Sequence, residues 1–237
     1  LKIQSKRYIM NNLLWTPKSC GVRSSDISEF IKRINNAGLY EEMHGFIIMR
    51  HGKTLAEGYF RPYQKDMPHM MCSVTKAFTS AAVGLASDEG LLKVSDKILK
   101  YFPEFETDDP RMANMTLWEL LTMTTGKAPT PLHNSSYDNT DDRIKAFFEL
   151  PFEAVPGTKF IYSSYSSYML SAIVQRVTGK TAVDYVYEKL LRELGFNYPI
   201  HTKSPLGICE GYSGMRITLR EFADFGLPLI FQGSGAN

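Results

Sequence analysis

The sequence is short of cysteine, of tryptophan and of net charge. Its three cysteines, Cys20, Cys72 and Cys209, are odd in number and far apart. They make neither a disulfide framework nor a zinc site, and a reducing compartment is the simplest expectation. Lysine and arginine number 27 against 25 acidic residues, for a formal net charge of +2. The basic residues are scattered, so no nucleic-acid partner is expected. No run approaches the roughly 18 apolar residues that a membrane-spanning helix needs, so no transmembrane segment is expected. Internal repeats and low-complexity stretches are absent. There is no G-x-S-x-G elbow, which argues against an α/β-hydrolase triad. His44, His69, His133 and His201 show no ligand spacing, so metal chemistry is not expected.

What is present is an ordinary globular composition, 43% hydrophobic and 22% charged, in a length that accommodates one large domain or two packed ones. Leu1 to Met10 carries Lys2, Lys6 and Arg7 without an apolar core or a small-residue cleavage site, and it does not read as a signal peptide. A native N-terminus would place the protein in the cytoplasm, and a processed one would make it an exported protein.

Ser25 or Asp26 is expected to cap a helix whose apolar stripe is Ile27, Phe30, Ile31 and Ile34. Gly45 to Phe60 reads as a β-hairpin turning at His51-Gly52, with Gly52 supplying positive φ and His51 a turn residue. From Ser73 the pattern is mostly helical. Ser73 to Asp88 is punctuated by Gly90, and a later helix is expected from near Ser166 to about Gly179. Thr116 to Glu119, Thr181 to Asp184 and Thr218 to Glu221 are capping boxes, with Gly195 closing the second of these helices. After the Pro156-Gly157 turn, Thr158 to Tyr162 reads as strand-like. Glu106 to Asp109 and Asp138 to Asp142 read as solvated loops rather than a glycosidase pair. Tyr59, Tyr63 and Tyr137 read as structural tyrosines, and Cys72 as a packing residue.

Ser73 and Lys76 carry the first chemical signal. A serine hydroxyl needs a proton acceptor before it becomes a nucleophile, and residues three apart share one face of a helix. A helix N-terminus and burial together favour a neutral lysine, the form a general base requires. The Ser73 N–H is also placed to donate to a developing oxyanion. The pair taken alone better suits an N-cap serine followed by a solvated lysine, and only the second signal shifts the balance. "YSS", Tyr162 to Ser164, is the second signal. Its tyrosine would relay protons and Ser164 would donate a hydrogen bond, unless Tyr162 is a buried tyrosine bonded to backbone.

With these residues in place, the chain resembles the serine β-lactamase-related hydrolases. That family includes class C β-lactamases, D-alanyl-D-alanine carboxypeptidases, family VIII carboxylesterases and nylon-oligomer hydrolases. The resemblance is carried by "RHGKTLAEGYF" (50–60), "SVTKAFTSAAVGLASDEGLL" (73–92), "LWELLTMTTG" (117–126), "PGTKFIYSSYSSYMLSAIVQRVTGK" (156–180) and "TLREFADFG" (218–226). It implies a mixed α/β (α+β) fold of the β-lactamase and penicillin-binding-protein type, an antiparallel sheet flanked by helices plus a mostly helical block. The expected parts are 1–65 as N-terminal helix and hairpin, 66–205 as the helical catalytic block, and 206–237 as a return segment. The resemblance implies Ser73 as the acylated nucleophile, Lys76 as its base and Tyr162 as the tyrosine of the Y-x-N/S motif. Ser164 stands where class C β-lactamases have asparagine, which points toward the esterase and amidase branches. The implied substrate is a small ester or amide, with D-amino-acid peptides next and β-lactams a further option; oligomeric state is left open.

The family's third motif, K-T-G or a variant, has no counterpart in these 237 residues. "GYSGM" (211–215) resembles the segment that precedes it and does not replace it. Three readings follow: part of a longer chain, a sheet completed by something else, or a degenerate member. The first is preferred. The rival to an enzyme is a catalytically impaired or truncated relative that binds a peptide or protein through the same groove.

Overall fold

The computed structural model describes residues 16–38, 43–129 and 142–232, the last four of these by backbone alone. Leu1 to Met10, His133, Tyr137 and Asp138 to Asp141 lie outside the described residues. Helix α1 (Ser24–Asn36) leads to strands β1 (Gly45–Arg50) and β2 (Lys53–Tyr59) and the short β3 (His69–Met70). A 3-10 turn over Cys72–Val74 runs into α2 (Thr75–Asp88). Then come α3 (Pro110–Asn114), α4 (Leu117–Leu121), α5 (Arg143–Glu149), α6 (Ser164–Thr178) and α7 (Ala182–Val186). The short β4 (Arg216–Ile217) and α8 (Leu219–Gln232) complete the described chain. These elements form two compact units, one running to His69 and resuming at Arg216, the other from Met70 to Met215. Among the described residues no helix is long and apolar enough to cross a membrane.

In the first unit the expected hairpin forms, β1 antiparallel to β2 with a bulge after Ile48. Its two-residue turn has φ of 51° at His51 and 72° at Gly52. Both values are positive, the geometry whose twist matches paired strands, so His51 shares the conformational demand assigned to Gly52 alone. Helix α8 packs on β1, and Leu219 reaches so close to Gly45 that an added Cβ there would lie 3.1 Å from it. The capping box at Thr218 opens α8, with Thr218 and Glu221 each bonding the other's backbone N–H. Helix α1 differs from its expected start. It begins after Arg23, without a side-chain cap, and Arg23 pairs with Asp26, which the sequence pattern had as a candidate cap. Of its stripe Ile34 is buried while Phe30 stays 41% exposed.

The second unit is built around α2 and α6. Phe78, Ala82, Val83 and Ala86 of α2 are fully buried or nearly so. Their three-and-four spacing makes one apolar stripe, and it packs against α6 and α7. Truncating Phe78 to alanine in such a core costs about 3–5 kcal/mol. Helix α6 is buried at every position from Ser164 to Val174, which small serines permit on faces where larger side chains would clash. It is capped by the Ser163 side chain and ends at Gly179 in left-handed conformation. It therefore starts two residues before the expected Ser166. Thr158 to Tyr162 is not a strand; it is an irregular run held at Ile161, whose N–H donates to Met123 O. The Thr116–Glu119 box forms in full. Helix α7 continues as a wide turn over Tyr187–Leu191 before Gly195 reverses the chain at φ 83°.

Candidate active site

Ser73 sits in the 3-10 turn that precedes α2, and the helix proper starts at Thr75 without a side-chain cap. The N-cap alternative for Ser73 is therefore excluded by the backbone. Its neighbour Cys72 has φ 43° and is exposed, not packed as expected. A left-handed non-glycine residue stores on the order of 1–3 kcal/mol, and such strain concentrates at functional sites. The backbone is held on one side by the Met71 N–H, which donates to Met215 O at 2.9 Å.

The Ser73 hydroxyl is met from two directions. Lys76 Nζ donates to Ser73 Oγ at 3.3 Å, and Tyr162 Oη donates to the same oxygen at 2.8 Å. Lys76 arrives because the 3-10 turn and the first turn of α2 place residues 73 and 76 on one face. Tyr162 arrives because the irregular run before α6 ends beside that face. The lysine ammonium also lies 4.9 Å from the Tyr162 ring centroid. Partial burial pushes the Tyr162 phenol up, but hydrogen bonds with Lys76 and Ser73 and the lysine charge outweigh it. The net effect holds the phenol below its ordinary value. A tyrosine so placed gives up its proton more readily than a free one.

Ser164 opens α6, two residues beyond Tyr162, and is buried at 5% exposure. Ser73 and Tyr162 are by contrast exposed. Three of the four expected site residues thus share one hydrogen-bonded cluster, and the fourth lies inside the helix start beside it.

Sequence reasoning missed a second layer. Lys76 Nζ donates to Tyr212 O at 3.0 Å, and Thr79 Oγ1, one turn further along α2, donates to Gly211 O at 2.7 Å. "GYSGM" was the available signal, but a backbone carbonyl leaves no trace in residue type. Behind this segment Arg143 of α5 pairs with Glu210 at 3.2 Å, a contact across 67 residues that no local pattern marks. No three His, Cys, Asp or Glu side chains converge as a metal site among the described residues. His44 and His69 face each other instead, Nδ1 to Nδ1 at 2.9 Å.

Comparison with known proteins gives a consistent result. The Beta-lactamase family model matches residues 29–213. Protein flp of Staphylococcus aureus (strain MRSA252) is 27% identical over 161 residues, covering 62% of this chain and 32% of its own. A candidate D-alanyl-D-alanine carboxypeptidase of Escherichia coli (strain K12) is 30% identical over 167 residues, with 64% and 37% covered. The chain thus spans about a third of the length of these curated relatives. Among solved structures, a candidate 6-aminohexanoate-dimer hydrolase from Bacillus anthracis aligns with a TM-score of 0.72 at 22% identity, covering 83% of this chain and 57% of that one. A candidate β-lactamase from Bacteroides dorei DSM 17855 aligns at 0.70 and 21% identity, with 86% and 62% covered. At these identities the likeness establishes the fold: β-lactamase-like, helices with a small antiparallel sheet.

Proposed function

Because the chain belongs to the Beta-lactamase family, we propose that it is a serine hydrolase working through an acyl-enzyme on Ser73. The observation that carries this reading is the convergence of Lys76 Nζ and Tyr162 Oη on Ser73 Oγ, at 3.3 and 2.8 Å.

In the proposed reaction Ser73 Oγ attacks a substrate carbonyl while its proton passes to Lys76 and Tyr162, whichever is in the basic form. The Ser73 N–H in the turn supports the oxyanion as charge develops. The carbonyl then re-forms, the leaving group departs, and Tyr162 or Lys76 returns the proton to it. Water, deprotonated by the same pair, attacks the acyl-serine and restores the free hydroxyl. Small esters or amides are the proposed substrates, D-amino-acid peptides coming next; Ser164 contributes to the walls of the site through its position at the start of α6. No step calls for a metal or an organic cofactor.

The test is intact-mass analysis of the 237-residue chain after exposure to a fluorophosphonate probe, with Ser73→Ala as control. A single adduct that disappears in the variant supports an activated Ser73. Absence of an adduct on protein that circular dichroism shows to be folded overturns the enzymatic reading and favours a peptide- or protein-binding relative.

A further inference from the structure

Residues Cys209 to Tyr212 form a strap bonded on four sides. Ser171 Oγ donates to Cys209 O at 2.7 Å. Thr79 Oγ1 donates to Gly211 O at 2.7 Å, and Lys76 Nζ to Tyr212 O at 3.0 Å. The Glu210 carboxylate accepts from Thr202 Oγ1 at 2.9 Å and from Arg143 Nη1 at 3.2 Å. Gly211 has φ 68°, and a Cβ there would lie 2.8 Å from Ser171 Cβ and 2.9 Å from Ser167 O. The strap therefore lies hard against α6, with no room for drift on that side.

The anchor at Glu210 differs from the others. It is an ion pair taken largely out of water, the Arg143 and Glu210 side chains being 9% and 18% exposed. The guanidinium is flanked by the rings of Tyr168 and Tyr212, at 5.6 and 5.8 Å. A buried charge left without its partner is costly, so each member holds the other in place. Glu210 stands two residues before the carbonyl that takes one Lys76 N–H. The peptide planes between them transmit any shift of Glu210 to that carbonyl.

We infer that Arg143 and Glu210 are positioning residues for Lys76: their ion pair sets the Tyr212 carbonyl, which orients the lysine amine toward Ser73 Oγ. This inference rests on the serine-hydrolase reading above. Neither residue bonds Ser73, so both act through the lysine. The effect falls on the proton-transfer step, because a misplacement of about 1 Å in such a group costs roughly a hundredfold in rate.

The experiment uses the full chain and a fluorophosphonate probe over a range of concentrations, separating the probe's affinity (KI) from its maximal rate of reaction with Ser73 (kinact). Glu210→Gln and Arg143→Met are expected to lower kinact by about 10- to 100-fold while KI changes less than about twofold, the pattern of an interaction that matters in the transition state. Arg143→Lys, which keeps the charge, is expected to recover most of that loss. Tyr101→Phe is the control. It removes the Tyr101–Asp96 hydrogen bond, which lies in the same unit and involves none of the residues that hold the strap, and it should lower Tm while leaving kinact unchanged. If an ion-pair variant does not fold, Thr202→Val loosens Glu210 more gently and is expected to cut kinact about two- to fivefold. Unchanged kinact in the folded variants overturns the inference. So does an equal loss in Tyr101→Phe, which would assign the effect to general weakening. No reaction in the unaltered chain overturns the hydrolase reading and this inference with it, whereas reaction there combined with unaffected variants overturns this inference alone.

Discussion

Tyr162 Oη and Ser73 Oγ, separated by 89 residues of sequence, lie 2.8 Å apart and are joined by a hydrogen bond. The tyrosine is 42% exposed, so its position reflects this contact and the Lys76 charge more than burial.

Replacing it with phenylalanine should leave Tm nearly unchanged, since a partly exposed hydroxyl contributes at most about 1 kcal/mol. Fluorophosphonate labelling of Ser73 should fall about 100-fold or more, the scale of a lost general acid–base group. In the unaltered chain labelling should also quicken as the phenol ionises, at a pH below the 10.0 of an ordinary tyrosine. The Tyr162→Phe variant should lack that limb, and a rate-against-pH series on both proteins checks it.

Lys127 is 3% exposed and donates to Phe148 O and Leu150 O at 3.0 and 2.7 Å. Burial lowers its pKa from 10.5 to about 8. Below pH 8 the folded and unfolded chains both carry the proton, and the cost of burying the charge is fully present. Between about 8 and 10.5 the unfolded chain binds more protons, so stability rises with pH. Compared with Lys127→Met, the unaltered chain should gain up to about 3 kcal/mol across that window. Urea unfolding of both proteins at pH 7.5 and pH 10 reads the difference directly; a gap that does not move with pH would count against this assignment.

Gly126 has φ 70°, and a Cβ there would come within 2.2 Å of Ala154 O. Its own carbonyl accepts from the Glu153 and Ala154 N–H groups at 2.7 and 3.0 Å, closing the loop from the other side. Gly126→Ala should therefore destabilise the chain by about 2–4 kcal/mol, through left-handed strain and overpacking together. A thermal melt that matches the unaltered chain would contradict the close approach.

In the hairpin unit, Arg220 donates to Thr54 at 2.9 Å and pairs with Glu57. Desolvation pushes the Glu57 carboxyl up, but hydrogen bonds from Tyr59 and Arg220 outweigh it and leave the carboxyl below its usual 4.5. Its contribution is then complete above about pH 4.5 and is lost as pH falls through the lower folded value. Glu57→Gln should cost about 1–2 kcal/mol at pH 7, with the gap to the unaltered chain closing on acidification. Denaturant melts of both proteins at pH 7 and pH 3 test the sign.

Much of the local structure was legible in the sequence because it is decided within one or two turns of chain. His51-Gly52 between two apolar runs specified a hairpin, and threonine followed three residues later by a carboxylate specified helix starts. Where the local reading failed, packing outweighed propensity. Ser164 and Tyr165 entered α6 ahead of the expected start because Ser163 caps it, and Thr158 to Tyr162 found no partner strand. Cys72, read as a packing residue, came out exposed, with left-handed backbone.

By itself the sequence brought Ser73 and Lys76 to one face, since residues three apart across the start of a helix lie one turn from each other, and it left open whether they pair. It also determined, through the order of matching segments, which family the chain belongs to. Only the tertiary structure decided that Tyr162 reaches Ser73, that Tyr212 offers Lys76 its carbonyl, and that Arg143 and Glu210 lie behind both. Those contacts span 67 to 136 residues. Their formation depends on how α2, α5 and α6 pack, and the decisive acceptor is a main-chain oxygen that every residue carries alike.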